Sequence, residues 1–153
     1  MKNVSKMVGV TLLEVMLVLA VAAMIIVMSV RYYQTATYNQ QTNTALQTIQ
    51  AITAAADSLA QGSGTYDSVT QANIANLMPS NMVSGGNINS PWGGTITVGA
   101  GSGQTYSVTF TNTPQNICTA LSSRLQPNSK FTSVTSTCTA STQDFTYTYD
   151  NSK

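Results

Sequence analysis

The chain has 153 residues, of which 7% are charged, and its net charge of +1 excludes the basic surface on which nucleic-acid binding depends. It contains no histidine, and its two cysteines, Cys118 and Cys138, are far apart in sequence, so common zinc-ligand spacings and nucleophile–histidine pairs are missing. We therefore expect no enzymatic activity, no cofactor or metal and no nucleic-acid partner. Four acidic residues are scattered over the second part of the chain and predict no paired-carboxylate site: Asp57, Asp67, Asp144 and Asp150.

An apolar run occupies residues 10–30, and Glu14 is its only charged residue. As a helix such a run is about 30 Å long, which matches the hydrocarbon thickness of a bilayer. Lys2 and Lys6 precede it, and this charge pattern predicts a cytoplasmic amino terminus and an exported remainder. The run continues into tyrosines and Arg31, not into the small-residue cleavage site of a secretory signal. A plain signal anchor is the simplest alternative, but it leaves the costly carboxylate of Glu14 unexplained.

The segment GVTLLEV, Gly9 to Val15, closely resembles the processing motif of type IV prepilins and of the related pseudopilins of type II secretion. This resemblance implies that a membrane-embedded prepilin peptidase cuts between Gly9 and Val10 and that the new terminus is N-methylated. Many family members have phenylalanine at the first mature position, where this chain has Val10. Cleavage is still expected, because the family accepts other hydrophobic residues there.

Glu14 is assigned a role in assembly by this interpretation. In the apolar core of a filament, the carboxylate of Glu14 can pair with the terminal amine of Val10 in a neighbouring subunit. At about 4 Å and an effective dielectric constant of about 20, the pair attracts by roughly 4 kcal/mol before desolvation is subtracted. Such a pair would set the register between subunits.

A single helix of about fifty residues is predicted to follow the leader, because no glycine or proline lies between Gly9 and Gly62. Many pilins with short leaders kink this helix at a proline just past the apolar run. This chain has Arg31 there, so we expect a smoother helix. The polar stretch 34–44 is a candidate to fray, or to extend in a filament. From Leu46 to Leu59 apolar residues recur every three or four positions, which predicts one face packed on a globular head.

The head is predicted to be an antiparallel sheet packed on the first helix, with a smaller helix beside it, which gives an α+β fold. Turn residues at 85–91 separate its first helix from its strands. The predicted elements are helices at 68–78 and 114–125 and strands within 90–99 and at 105–111, 131–137 and 143–150. The chain thus divides into a leader at 1–9, a membrane and filament-core half-helix at 10–30, an amphipathic half-helix at 31–61 and a head at 62–153.

Two glycine-containing segments of the head resemble binding elements. The loop 99–104 lacks the lysine and the following helix that phosphate binding needs, so it predicts a turn. Trp92, in the string PWGG, is expected to plug the core where the loop meets the sheet, in preference to contacting a ligand. A similar PWGG element occurs in some type IVb pilins, including those of conjugative-plasmid thin pili, although the leader here is shorter than that subclass usually has.

The two cysteines follow the predicted export segment, and cysteines in an oxidising compartment usually pair. We expect a disulfide between Cys118 and Cys138, with two free thiols as the alternative. A closed loop of about twenty residues contributes about 3 kcal/mol if unstrained. The pair resembles the carboxy-terminal disulfide loop of pilins, so residues 127–138 are a candidate surface for external contacts. A purely structural role, in which the disulfide holds the carboxy-terminal edge of the head in place, explains the loop equally well.

The resemblance implies a structural subunit that sits in the inner membrane with a periplasmic head before assembly and in an extracellular pilus afterwards. Its partners would be copies of itself in a helical filament, the prepilin peptidase and the pilus assembly platform, in adhesion, aggregation or conjugative mating. One alternative is a type II secretion pseudopilin, although major pseudopilins commonly bind calcium through an acidic loop and lack a disulfide. The other is a monomeric signal-anchored binding domain, which leaves the motif around Glu14 unexplained.

Overall fold

The structure is a computed structural model, and it describes residues 11–153. The predictions for the leader, Gly9 and Val10 lie outside the described residues. The chain divides into two compact units, one that ends at Thr37 and one that comprises Tyr38–Lys153. Each unit is described by itself below.

The first helix, α1, comprises Leu12–Ala60 and contains residues of both units. The polar stretch 34–44, a candidate to fray, is helical throughout. Its threonines are accommodated because their hydroxyls donate to carbonyl oxygens four residues earlier, as Thr42 does to Tyr38 over 2.8 Å. The helix ends where Gly64, with φ of 71°, turns the chain and donates its N–H to the carbonyl of Ala60.

Two shorter helices follow in the head, α2 (Gln71–Leu77) and α3 (Gln115–Leu125). Thr70 caps α2 by accepting a hydrogen bond from the N–H of Asn73. The side chain of Gln71 bonds to backbone groups of the sheet, because it donates to the carbonyl of Ile96 and accepts from the N–H of Val98. A single glutamine therefore fixes α2 against the sheet.

Within residues 11–153, six strands form one antiparallel sheet in the order β1-β2-β3-β4-β6-β5, which confirms the predicted α+β fold. The strands β4 and β6 form its longest pairing, in which Phe110 lies opposite Phe145 and Val108 opposite Tyr147. The strands are β1 (Val83–Ser84), β2 (Asn87–Asn89), β3 (Thr95–Val98), β4 (Thr105–Pro114), β5 (Phe131–Thr132) and β6 (Thr142–Asp150).

The structure differs from the sequence predictions at four strands, β1, β2, β4 and β5. Gly85 and Gly86, interpreted only as turn residues, both have positive φ and connect the unpredicted hairpin of β1 and β2. The strand predicted at 131–137 ends after two residues, because Ser133 has φ of 50° and leaves the strand conformation. Strand β4 continues past its predicted end through an irregularity at Asn112, which also has positive φ.

The core of the second unit lies between α1 and the inner face of the sheet. Alternate residues of β4 and β6 face inward and are buried, while the residues between them are polar. The helix α3 adds further apolar side chains to the same core. Among the buried residues of this core are Ala45, Ile49, Ile52 and Ala56 of α1, Tyr106, Val108, Phe110, Phe145, Tyr147 and Tyr149 of the sheet, and Ile117, Cys118, Leu121 and Leu125 of α3.

Candidate membrane and assembly segment

The first part of α1 exposes an apolar surface on every side. Its most apolar stretch of 18 residues has a mean hydropathy of 2.7, and no residue of that stretch is buried within the described chain. By length and composition this helix could cross a membrane. A helix that is apolar all round, with no polar stripe, needs cover from lipid or from other protein on all its sides.

Glu14 lies in the first turn of α1, with an exposed side chain amid this apolar surface. Its N–H donates to the hydroxyl of Thr11 over 3.3 Å, so Thr11 caps the helix. The string from Thr11 to Glu14 has the spacing of a capping box, and a carboxylate near a helix amino terminus is favoured by the helix dipole. This cap was not predicted, although the spacing of Thr11 and Glu14 in the sequence indicates it. The predicted partner, Val10, lies outside the described residues.

The second half of α1 is held to the head by a short hydrogen bond between side chains. The phenol of Tyr66 donates to Oδ1 of Asp57 over 2.6 Å. Burial, with this hydrogen bond, raises the pKa of Tyr66 well above its ordinary value, so the phenol stays protonated and available as a donor. A second phenol, that of Tyr106, donates to Thr53 Oγ1 over 3.3 Å. These two bonds tie neighbouring turns of α1 to the loop and the sheet.

The disulfide between Cys118 and Cys138 is present, with Cα atoms 5.9 Å apart, and is the arrangement favoured above over two free thiols. It joins the buried face of α3 to the irregular segment before β6. Gln143 organises this segment, because its Nε2 donates to the carbonyl of Thr137 while its Oε1 accepts from the N–H groups of Thr139 and Ala140. Sequence reasoning missed Gln143, since one glutamine in a strand carries no recognisable spacing.

Trp92 is a packing residue, as predicted. Its ring lies 5.8 Å from that of Phe110, and its Nε1–H donates to the carbonyl of Thr111 over 3.0 Å. Gly94 lies so close to Thr111 that a Cβ atom there would collide with the backbone oxygen of that residue. The PWGG string therefore has a structural explanation in the turn before β3.

The glycine-rich loop 99–104 is a turn that packs on the chain after α1. The N–H of Gly101 donates to the carbonyl of Val69, and a Cβ atom on Gly101 would collide with the backbone of Tyr66. Nearby, the N–H of Gly103 donates to the carboxylate of Asp67, and this bond is the main cause of the lowered pKa of Asp67. These glycines permit close backbone approach.

Within residues 11–153, no three His, Cys, Asp or Glu side chains come together as metal ligands would. The segment 127–138, nominated for external contacts, is mostly exposed or half-buried. Most of its backbone between β5 and the disulfide is irregular, although Thr135 exchanges hydrogen bonds with the backbone of Thr146.

A family model described as PilS N terminal matches residues 39–151. No curated protein and no solved structure matches the chain. The matched range lies within the second unit and includes neither the GVTLLEV string nor the apolar part of α1. The family match and the amino-terminal motif are therefore independent observations on different parts of the chain.

Proposed function

Because the chain belongs to the PilS N-terminal family, a pilin-related family, we propose that it is the precursor of a structural subunit of a type IV pilus. The observation that carries this proposal is the apolar, exposed first part of α1, continuous with a second part that packs into the head. One helix can thus be a membrane anchor in the free subunit and a packing element in a polymer. The proposed role is structural and not enzymatic.

The proposed precursor is inserted in the inner membrane through α1, with its head on the periplasmic side. Lys2 and Lys6 support this orientation, since positive residues flank the cytoplasmic end of a span. Prepilin peptidase then cuts after Gly9, and the terminus of Val10 is N-methylated. The resemblance of GVTLLEV to the prepilin motif supports both steps.

Assembly is proposed to transfer the apolar helix from lipid into the core of a helical homo-oligomer on the pilus assembly platform. Glu14 supports this step, because an exposed carboxylate on an apolar surface requires a cationic or polar partner in a lipid-free core. The amine of Val10 in a neighbouring subunit is the partner proposed here. The extracellular filament would act in adhesion, aggregation or conjugative mating.

A finer proposal assigns the subunit to the type IVb class. Its support is the PWGG string, which forms the turn before β3 and resembles that of type IVb pilins. A type II secretion pseudopilin is the second candidate, since it shares the motif and the helix. The disulfide between Cys118 and Cys138 favours the pilus subunit.

The experiment is intact mass and amino-terminal sequencing of material sheared from cells and purified without reduction. We expect a chain that begins at N-methylated Val10, with a mass lowered by the hydrogens lost in one disulfide. Recovery of the processed chain from the periplasm and not from the sheared fraction would favour the pseudopilin. A chain that still begins at Met1 and stays in the membrane would leave only an anchored domain.

A further inference from the structure

Three consecutive polar or amphipathic residues, Arg31, Tyr32 and Tyr33, follow the apolar run directly and are called the collar here. All three side chains are exposed, Tyr32 by 80% and Tyr33 by 73%. In the described part of the chain the collar side chains take part in no hydrogen bond between side chains, since only the backbone carbonyls of Arg31 and Tyr33 accept bonds, from threonines. Nothing within the first unit explains two exposed tyrosines at this position.

The directions of the collar residues indicate what covers them. Consecutive residues of an α-helix are about 100° apart around its axis, so the three side chains spread over about 200° of the circumference. The apolar residues before them, such as Met24, Ile26 and Met28, are likewise exposed on different sides. A single protein docked on one face would leave the other directions uncovered, whereas a bilayer surrounds the helix of the subunit before assembly.

The position of the collar along the helix matches a membrane boundary. From Thr11 to Val30 the helix rises by about 30 Å, the thickness of a hydrocarbon core, and the collar begins at the next residue. Tyrosine rings favour the boundary between hydrocarbon and headgroups, and a guanidinium group binds phosphate through paired N–H donors. Both residue types therefore suit the layer of phospholipid phosphates.

We propose that the collar anchors α1 in the phospholipid headgroup layer on the side of the membrane where the head emerges, and so fixes the depth of the span. This inference rests on the membrane insertion proposed above. Glu14 precedes Arg31 by about 26 Å along the helix, which places it about 4 Å inside the opposite boundary, where its carboxylate reaches polar headgroups. Movement of the helix towards the head side would bury Glu14 in the hydrocarbon core, and movement towards the amino-terminal side would bury the collar there. The two groups therefore oppose sliding in opposite directions.

The test measures depth in vesicles of phosphatidylethanolamine and phosphatidylglycerol containing the full chain. Since Cys118 and Cys138 are joined in a disulfide, a single new thiol from Ser29→Cys can be labelled with a bimane maleimide. Quenching by lipids brominated at defined positions gives the depth of the label. Replacing the whole collar with alanine should let the helix slide, moving the label by about one to three residues, or about 1.5–4.5 Å, towards the bilayer centre.

Two further variants sharpen this test. Replacing Tyr32 and Tyr33 with tryptophan should preserve the depth, because tryptophan also favours the interface. Alanine at three exposed residues beyond the collar, Gln34, Thr35 and Asn39, should leave it unchanged. An unchanged depth in the collar variant would overturn the proposal, as would a depth that depends on the protein-to-lipid ratio, which would indicate a second copy as the occupant. A wild-type chain whose label stays in water would instead contradict the membrane insertion itself.

Discussion

The phenol of Tyr66 and the carboxylate of Asp57 are joined over 2.6 Å, although the two residues lie on opposite sides of the turn that ends α1. Tyr66 is 2% exposed, whereas Asp57 is exposed, so a buried donor is satisfied by a carboxylate that water also reaches. The bond ties the last turns of α1 to the following loop. Its loss would leave the phenol oxygen without its acceptor.

Tyr66→Phe should lower the free energy of unfolding by about 1 kcal/mol, because it removes this bond while water compensates at the exposed carboxylate. Tyr147→Phe should be neutral or stabilising, since the buried hydroxyl of Tyr147 has no hydrogen-bond partner among the described residues. Tyr38→Phe, at an exposed position of α1 outside the collar, is the matched control. Chemical unfolding of the full chain in detergent measures the free energy of unfolding of all three variants. Equal effects of Tyr66→Phe and Tyr147→Phe would contradict a stabilising role of the hydrogen bond between Tyr66 and Asp57.

Alkaline pH should destabilise the head. Burial raises the pKa of Tyr66, Tyr106 and Tyr147 in the folded state, while the unfolded chain releases these protons near a pH of about 10. Because the pKa of each of these phenols is higher in the folded than in the unfolded state, their protonation stabilises the head fully below a pH of about 10. This stabilisation is lost as the pH rises further. Phenolate absorbance and circular dichroism, followed together, should show that these phenols ionise only as the head unfolds. Ionisation of all seven tyrosines before any loss of structure would refute this.

The long helix and the main strands could be predicted because their signals are local. No helix breaker interrupts α1, and the alternation of Tyr106, Val108 and Phe110 is itself the strand pattern. The hairpin of β1 and β2 was missed because each strand has only two or three residues, too few for a periodic signal. The pairing of Tyr66 with Asp57 could not be predicted, since it depends on how the chain turns after α1.

Gly101→Ala should destabilise the head by about 1–3 kcal/mol, because the added methyl group collides with the backbone of Tyr66 and the loop must move. Gly62→Ala is the matched control, since its Cβ atom would meet nothing and its φ is not positive. That variant should be neutral, or stabilising by about 0.4–1 kcal/mol through the unfolded state. Thermal unfolding compares them, and similar midpoints for the two variants would show that the loop accommodates a side chain.

Gln143→Ala should loosen the segment between β5 and β6 while leaving the disulfide intact. The variant removes the acceptor for the N–H groups of Thr139 and Ala140 and the donor to Thr137. Hydrogen exchange at Thr139 and Ala140 should accelerate, whereas exchange in β4 should not change. Gln126→Ala, at an exposed position, serves as the control. Unchanged protection at Thr139 and Ala140 would mean that the disulfide alone orders this segment.

Glu14→Val tests whether the carboxylate acts in assembly or only at the start of the helix. Valine makes the span more apolar, so membrane insertion should be retained, while sheared filaments should fall to background because the proposed partner of the Val10 amine is lost. Thr11→Ala separates the two roles, since it removes the capping hydroxyl but keeps the carboxylate. We expect Thr11→Ala to assemble normally. Loss of filaments in both variants would assign Glu14 to helix initiation, and normal filaments from Glu14→Val would exclude its pairing role, because no other acid lies within the apolar run.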